Sequence, residues 1–381
     1  MKRRVAILAD FPTHALPDFD MAFRNQQHYP TGLLPMAAAM ADSSFECHWI
    51  TLDETLEKPR QIGSGNQVFH CLPTARRWRA ATLFTADRRA IGQCLRENAP
   101  DLVHAWGCED VYGIAAVTSG YRSVLSIMGL LSQYALCSRL APREYAMALV
   151  ELICLRKASW VTAESEWACE RIRNRVSHGR IKRVEYGVRS GFFTHPWNPD
   201  PKKPAAIFLG TAVPRKGIQD LVLAFARPEL SGFELRLICG GGGAWEEALR
   251  AKATPNVIWL GRVPQEDALK EMSRAWLLAL PTRADTGPMV VKEARVMGLP
   301  VISTRCGGVR DYITEGRNGY LVEPGDIDSL VDRLRRMLSD FEGTRRMGAY
   351  QHAEQRALFT PQQTAEGFIA LYEQILAGGI E

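Results

Sequence analysis

Short apolar runs alternate with amphipathic stretches along almost the whole chain, the pattern of a parallel sheet covered on both faces by helices. In the first half the apolar runs fall at 5–9, 47–51, 67–71, 102–105, 123–127, 160–163 and 182–185, and each predicts a buried strand. Between them, helical spacing predicts helices at 32–41, 86–98, 111–119 and 143–157. A second series follows, with strands expected at 206–209, 234–239, 256–260, 276–280, 300–303 and 319–322, and helices at 327–339 and 361–377. THPWNPDPKKP, at 194–204, packs four prolines and two lysines into a stretch that cannot be a regular element, and it is read as a linker. The expected division is a first domain over 1–193, a linker over 194–204, a second domain over 205–360 and a closing helix within 361–381. Two doubly wound domains put the default ligand position in the cleft between the C-terminal ends of their strands.

Length agrees with this division, since 381 residues exceed one typical domain. With 46% hydrophobic and 23% charged residues, the composition is that of an ordinary globular protein. The formal charge of +5 is too mild to indicate nucleic acid as a partner. Nine scattered cysteines, an odd number with no C-x-x-C pair, read as reduced thiols and make a zinc site an unsuitable expectation. The apolar stretch at 5–9 is too short for a signal peptide or a membrane span, so a cytoplasmic location is expected.

The sharpest chemistry lies in PTRADTGPMVVKEARVMGLPVISTRCGGVRDYITEGRNG, residues 281–319. A strand ends at Pro281, a small-residue loop carries Asp285, and a helix opens near Pro288 and Met289. Glu293 follows eight positions after Asp285, early on that helix, and the next strand runs into Cys306-Gly307-Gly308. Proline is pre-organised for a helix start, and the amides of Met289 and Val290 would then face the loop as an anion site. Two carboxylates flanking such amides suit a ligand with both phosphates and hydroxyls, which describes a sugar nucleotide. The alternative is an ordinary α/β unit with Glu293 on a solvated face.

This segment resembles the donor site of family 4 retaining glycosyltransferases of the GT-B fold, the glycosyl transferases group 1. In that family two acidic residues bracket a glycine-rich loop, matched here by Gly287 and Pro288 with Met289 and Val290. The resemblance implies that Asp285 contacts the transferred sugar and that Glu293 holds the ribose hydroxyls. The family usually carries Glu at the first position, so Asp285 is one methylene short, a departure that bears on sugar preference. FLGTAVPRKGIQDLVLAFA, at 208–226, is similar to the family's phosphate-binding stretch: a strand ends at Gly210, and Lys216-Gly217 begin a helix. Thr211 stands where the family has an arginine, and Arg215 is the candidate replacement. Arg215 and Lys216 would grip the diphosphate at a loop-to-helix junction; the bland reading is a solvated pair. Four glycines follow Cys239, fit either for close approach to a ligand or for a tight turn. Backbone at Arg262 and Val263, in 257–275, resembles the family's nucleobase-contacting segment.

Signals for an acceptor are looser. DLVHAWGCEDVYGIAAVTSG, at 101–120, resembles the family's DxxHxH region. His104 matches its first histidine, while Trp106 stands in place of the second, which lies near the reacting centre in many members. Glu109 and Asp110 fall at a helix N-terminal turn, fit either to orient an acceptor or merely to cap. Gly32 is the nearest match to the family's turn before its first helix. Residues 76–89, RRWRAATLFTADRR, would give a helix a basic face beside an aromatic one, suited to an anionic inner membrane surface or else to a solvated helix with Trp78 in the core.

The resemblance implies an α/β protein of GT-B fold, two doubly wound Rossmann-like domains facing across a cleft, with the closing helix crossing back to the first. It further implies a retaining hexosyltransferase moving a sugar from a nucleotide sugar to a glycan or lipid-linked acceptor, with Arg215, Lys216, Asp285 and Glu109 as catalytic candidates. No Asp-x-Asp stands at a strand end, so no cofactor or essential metal is expected. A non-catalytic sugar-nucleotide sensor and a GT-B epimerase are the alternatives.

Overall fold

The computed structural model describes residues 2–10, 33–74, 79, 82–176 and 180–378. The chain divides into two compact units, one of residues 1–187 with 361–381 and one of residues 188–360.

The first unit is built on an eight-stranded sheet of order β3-β4-β2-β1-β5-β6-β7-β8. Its strands are β1 (Arg3–Leu8), β2 (Phe45–Asp53), β3 (Arg60–Ser64), β4 (Gln67–Pro73), β5 (Leu102–Trp106), β6 (Ser123–Ser126), β7 (Trp160–Ala163) and β8 (Ile181–Arg183). All neighbours pair in parallel except β3 with β4. Parallel strands covered on both faces read as continuous apolar runs, and Val5, Ile7, Leu8, Val103 and Val161 are accordingly fully buried. Each such side chain contributes about 1.5–3 kcal/mol on burial. The chain starts in the middle of this sheet, winds outward through β2 and β4, then restarts at β5 and winds the other way. The winding direction reverses between β1 and β5, whose ends carry Asp10 and the Gly107–Asp110 turn.

The helix Pro361–Leu376 packs in this unit rather than with the segment that precedes it. Phe368, Leu371 and Tyr372 are buried, and Tyr372 meets Phe45 edge-on at 5.7 Å.

The second unit has six parallel strands in the order β11-β10-β9-β12-β13-β14. They are β9 (Ala205–Thr211), β10 (Glu234–Gly240), β11 (Val257–Trp259), β12 (Leu277–Leu280), β13 (Val301–Thr304) and β14 (Gly319–Val322). Here the reversal falls between β9 and β12, which pair through Leu277 with Ala206 and Leu278 with Ile207. The loops after these two strands therefore open side by side.

The structure adds one strand and corrects one sequence expectation. The strand β3 was not anticipated. The stretch 194–204 does not join the units: it lies wholly inside the second. Its middle is pinned there because Trp197 Nε1 donates to the Ala275 carbonyl at 2.6 Å and Trp276 Nε1 to the Asp200 carbonyl at 2.8 Å. The first boundary accordingly falls at residue 187, before the short helix Ser190–Thr194. Among the described residues no helix is long and apolar enough to cross a membrane.

Candidate functional site

The loop after β9 turns through a 3₁₀ segment, Pro214–Lys216, and ends at Gly217 with φ 75°. A Cβ at Gly217 would lie 1.8 Å from the Pro281 carbonyl oxygen, so only glycine lets this loop close on the end of β12. Closure is then locked by hydrogen bonds. The Arg283 amide donates to the Arg215 carbonyl at 2.7 Å, and Arg215 Nη1 donates to the Ala284 carbonyl at 2.6 Å. Lys216 Nζ is ion-paired with Asp285, and Arg215 Nη1 stands 3.9 Å from the same carboxylate oxygen. From below, Gly307 (φ 69°) brings the β13 loop against Asp285, whose carbonyl accepts from the Gly308 amide at 2.9 Å.

These contacts place two cations and a buried carboxylate at the switch point of the sheet, where open α/β folds bind ligands. The helix Met289–Met297 starts beside them with Pro288 as its N-cap, and no side chain caps it. Its first amides, Met289 and Val290, therefore keep the donor capacity of a helix N-terminus. Gly287 and Pro288 are buried in the loop between. Gly210, with φ 154°, lies one residue before the end of β9, and Thr211, which closes the strand, is exposed.

Glu293 is buried four residues into the helix, not on a solvated face. Burial pushes its carboxyl above the usual range, against the pull of Arg189 and Lys292. Arg189 Nη2 lies 3.4 Å from Glu293 Oε1, and its Nη1 donates to Gln265 Oε1 at 2.7 Å. Arg189 went unnoticed in the sequence, where 104 residues separate it from its partner. Arg262 enters differently from expectation. Its side chain lies over Gly240 and Gly241, where an added Cβ would come within 3.0 and 2.8 Å of it. The glycine run after β10 thus makes room for a guanidinium. Val263 is half-buried beside it.

At the switch point of the first unit, Asp10, Glu109, Asp110 and Tyr112 line a cavity of about 410 Å³ together with Arg79, Arg143 and Met147. Gly107, with φ 110°, turns the chain out of β5. Gly113 packs on that turn, where a Cβ would come within 2.9 Å of the Gly107 carbonyl. Asp110 caps the helix Val111–Val117 by accepting from the Tyr112 amide at 2.9 Å. Burial and the neighbouring Glu109 push its carboxyl up to about 7. Burial raises Glu109 as well, with its own amide and that of Cys108 pulling the other way. Tyr112 donates to Asp10 at 2.7 Å.

His104 does not line this cavity. It is fully buried, its Nδ1 is 2.6 Å from the Tyr372 hydroxyl and its Nε2 is 2.7 Å from Ser126 Oγ. Burial lowers its pKa to about 3, so the ring stays neutral and both nitrogens are occupied. Its part is to dock the closing helix. Trp106 packs beside it against Tyr186 and Phe368. Gly32 lies outside the described residues, as do 75–78 and 80–81 of the basic stretch around Trp78. Of that stretch, Arg79 is paired with Asp87 at 2.7 Å, which spends its charge internally. Among the described residues no group of three or more His, Cys, Asp or Glu could hold a metal ion.

Residues 192–354 match the family model described as Glycosyl transferases group 1. The chain is 29% identical over 220 residues to a GDP-mannose-dependent monoacylated alpha-(1-6)-phosphatidylinositol monomannoside mannosyltransferase of Corynebacterium glutamicum. That match covers 52% of this chain and only 57% of the relative. The fold is similar to sucrose-phosphate synthase from Thermosynechococcus elongatus, with a TM-score of 0.79 at 19% identity over 99% of this chain and 100% of that one. It is also similar to Anabaena HepE, solved in complex with UDP-glucose, with a TM-score of 0.72 at 16% identity over 97% and 99% of the two chains. Both units are thus the α/β halves of a GT-B fold. The match to the glycosyl transferases group 1 model falls within the second unit, which carries the paired switch-point loops and the uncapped helix start.

Proposed function

We propose that this chain is a retaining glycosyltransferase that moves a sugar from a nucleotide sugar to a hydroxyl of a glycan or lipid-linked acceptor. The observation that carries it is the pairing of Lys216 with Asp285 at the switch point, beside an uncapped helix start. The family match over 192–354 and the similarity to a protein solved with UDP-glucose support it.

In this mechanism Lys216 and Arg215 take the negative charge that develops on the leaving phosphate, helped by the amides of Met289 and Val290. Donor binding gives Lys216 a phosphate partner and releases Asp285 to accept hydrogen bonds from sugar hydroxyls. Glu293, held by Arg189, accepts from the ribose. The acceptor hydroxyl attacks from the face on which the diphosphate leaves, its proton passes to the departing phosphate oxygen, and the anomeric configuration is kept. Glu109, in the first unit's cavity, orients the acceptor. Because two fixed cations take the phosphate charge, transfer is expected to persist in a chelator. Glycolipid or polysaccharide assembly on the cytoplasmic side is the setting that fits, and the lipid acceptor named for the Corynebacterium glutamicum relative supports it.

Nucleoside diphosphate release from a panel of sugar nucleotides, with and without candidate acceptors, tests the proposal. Release that depends on both donor and acceptor is expected. Binding of nucleoside diphosphate with no release under any pairing would overturn the transferase reading and leave the sensor and the epimerase, which conversion of the donor sugar would separate.

A further inference from the structure

The helix Pro142–Lys157 is apolar on two faces, and only one of them is covered. Met147, Val150, Cys154 and Leu155 are buried in the core of the first unit. On the other side Tyr145, Leu149 and Ile153 recur every four residues, which sets them in one stripe about 12 Å long. They are 46%, 64% and 41% exposed, and Leu136 just before the helix is 77% exposed. Among the described residues seven large apolar side chains are exposed, and four of them fall between positions 136 and 153. Single exposed apolar residues need no explanation; a run of them on one face marks a contact.

The charges around the stripe name the partner. Arg139 and Arg143 precede it, Arg156 and Lys157 follow it, and all four are exposed with no ion pair among the described residues. Of the two acids on the helix, Glu151 is buried and Glu144 accepts from the Ala141 amide at 2.6 Å. An apolar stripe between unpaired cations matches anionic lipid headgroups lying over acyl chains. An apolar protein surface would leave the four cations without counter-charge. The same helix also supplies Arg143, Glu144 and Met147 to the cavity that holds Glu109 and Asp110. One helix therefore joins the exposed stripe to the candidate acceptor cavity.

We propose that the Tyr145, Leu149 and Ile153 face lies in the interface of an anionic membrane and holds the neighbouring cavity at headgroup level, where it meets a lipid-anchored acceptor. The choice of acceptor rests on the transferase reading; the docking itself does not.

Flotation of the full chain tests the docking with no turnover required. One set of vesicles contains phosphatidylcholine with phosphatidylglycerol, the other phosphatidylcholine alone. The chain should float with the anionic vesicles, less so at high salt, and poorly with the neutral ones. Leu149→Glu/Ile153→Glu should cut partitioning about tenfold or more, with an unchanged melting temperature and unchanged nucleoside diphosphate affinity. Arg156→Gln/Lys157→Gln should weaken the anionic binding and flatten its salt dependence. Three results overturn the proposal: no flotation of the native chain, equal flotation of the Glu variant, or light scattering that shows a dimer which the Glu variant splits. A native chain that binds nucleoside diphosphate but does not float would sink the docking alone. Absence of nucleotide binding in a chain that floats would sink the transferase reading alone.

Discussion

In Asp285→Asn the Lys216 ammonium loses its ion pair and is left for a donor phosphate. Nucleoside diphosphate affinity should therefore hold or rise, measured by calorimetry, while sugar transfer falls. Glu293→Gln should weaken both nucleoside diphosphate and intact donor, because the ribose belongs to both; equal loss of the diphosphate in the two variants would refute the division of roles. Asp110 gives a pH prediction. Its carboxyl is pushed from 3.8 up to about 7 in the folded chain. The unfolded chain ionises first, so stability is unaffected below the unfolded value and falls as pH rises toward the folded one. Asp110→Asn keeps an acceptor for the Tyr112 amide and removes the cost. It should raise the melting temperature at about pH 8 and change little near about pH 4. Legibility at this scale followed sequence distance. Asp285 and Glu293 stand eight positions apart and could be read as a motif. Arg189 and the hydroxyl that occupies His104 lie 104 and 268 residues from their partners, and nothing local announces either.

Elements were legible where burial is two-sided. The six strands of the second unit are apolar runs, and each was anticipated within a residue or two. The strand β3, RQIGS, has neither an apolar run nor a clean alternation, since it sits on the sheet edge and pairs only with β4. The prolines at 194–204 imitate a linker, and only the indole hydrogen bonds of Trp197 and Trp276 reveal that the stretch is packed down. Gly217→Ala should test the joint between β9 and β12. It places a Cβ against the Pro281 carbonyl in a left-handed backbone position. A loss of about 1–3 kcal/mol or more is expected in denaturant unfolding, along with loss of diphosphate binding. At the closing helix, Tyr372→Phe removes the hydroxyl that His104 meets and should cost about 1–3 kcal/mol, since a buried ring nitrogen is left unpaired.

For the whole molecule, the discontinuous first unit and the continuous second one make different demands on the chain. Residues 188–360 hold Arg189, Arg215, Lys216, Asp285 and Glu293 in one uninterrupted segment. Expressed alone, that segment should fold cooperatively and bind nucleoside diphosphate, whereas 1–187 without 361–378 should expose the core that Phe368 and Tyr372 cover. The number of domains was readable from length and periodicity. Their boundary was not, because it depends on which unit the closing helix and the proline-rich stretch pack against. The measurement that bears most directly on the donor site is calorimetry and turnover of Lys216→Ala against the native chain. One charge-assisted contact to a phosphate is worth about 1.5–3 kcal/mol, so a folded Lys216→Ala should bind nucleoside diphosphate about ten- to a hundredfold more weakly and release it from donor correspondingly slowly. A folded Lys216→Ala with native diphosphate affinity would contradict the donor site.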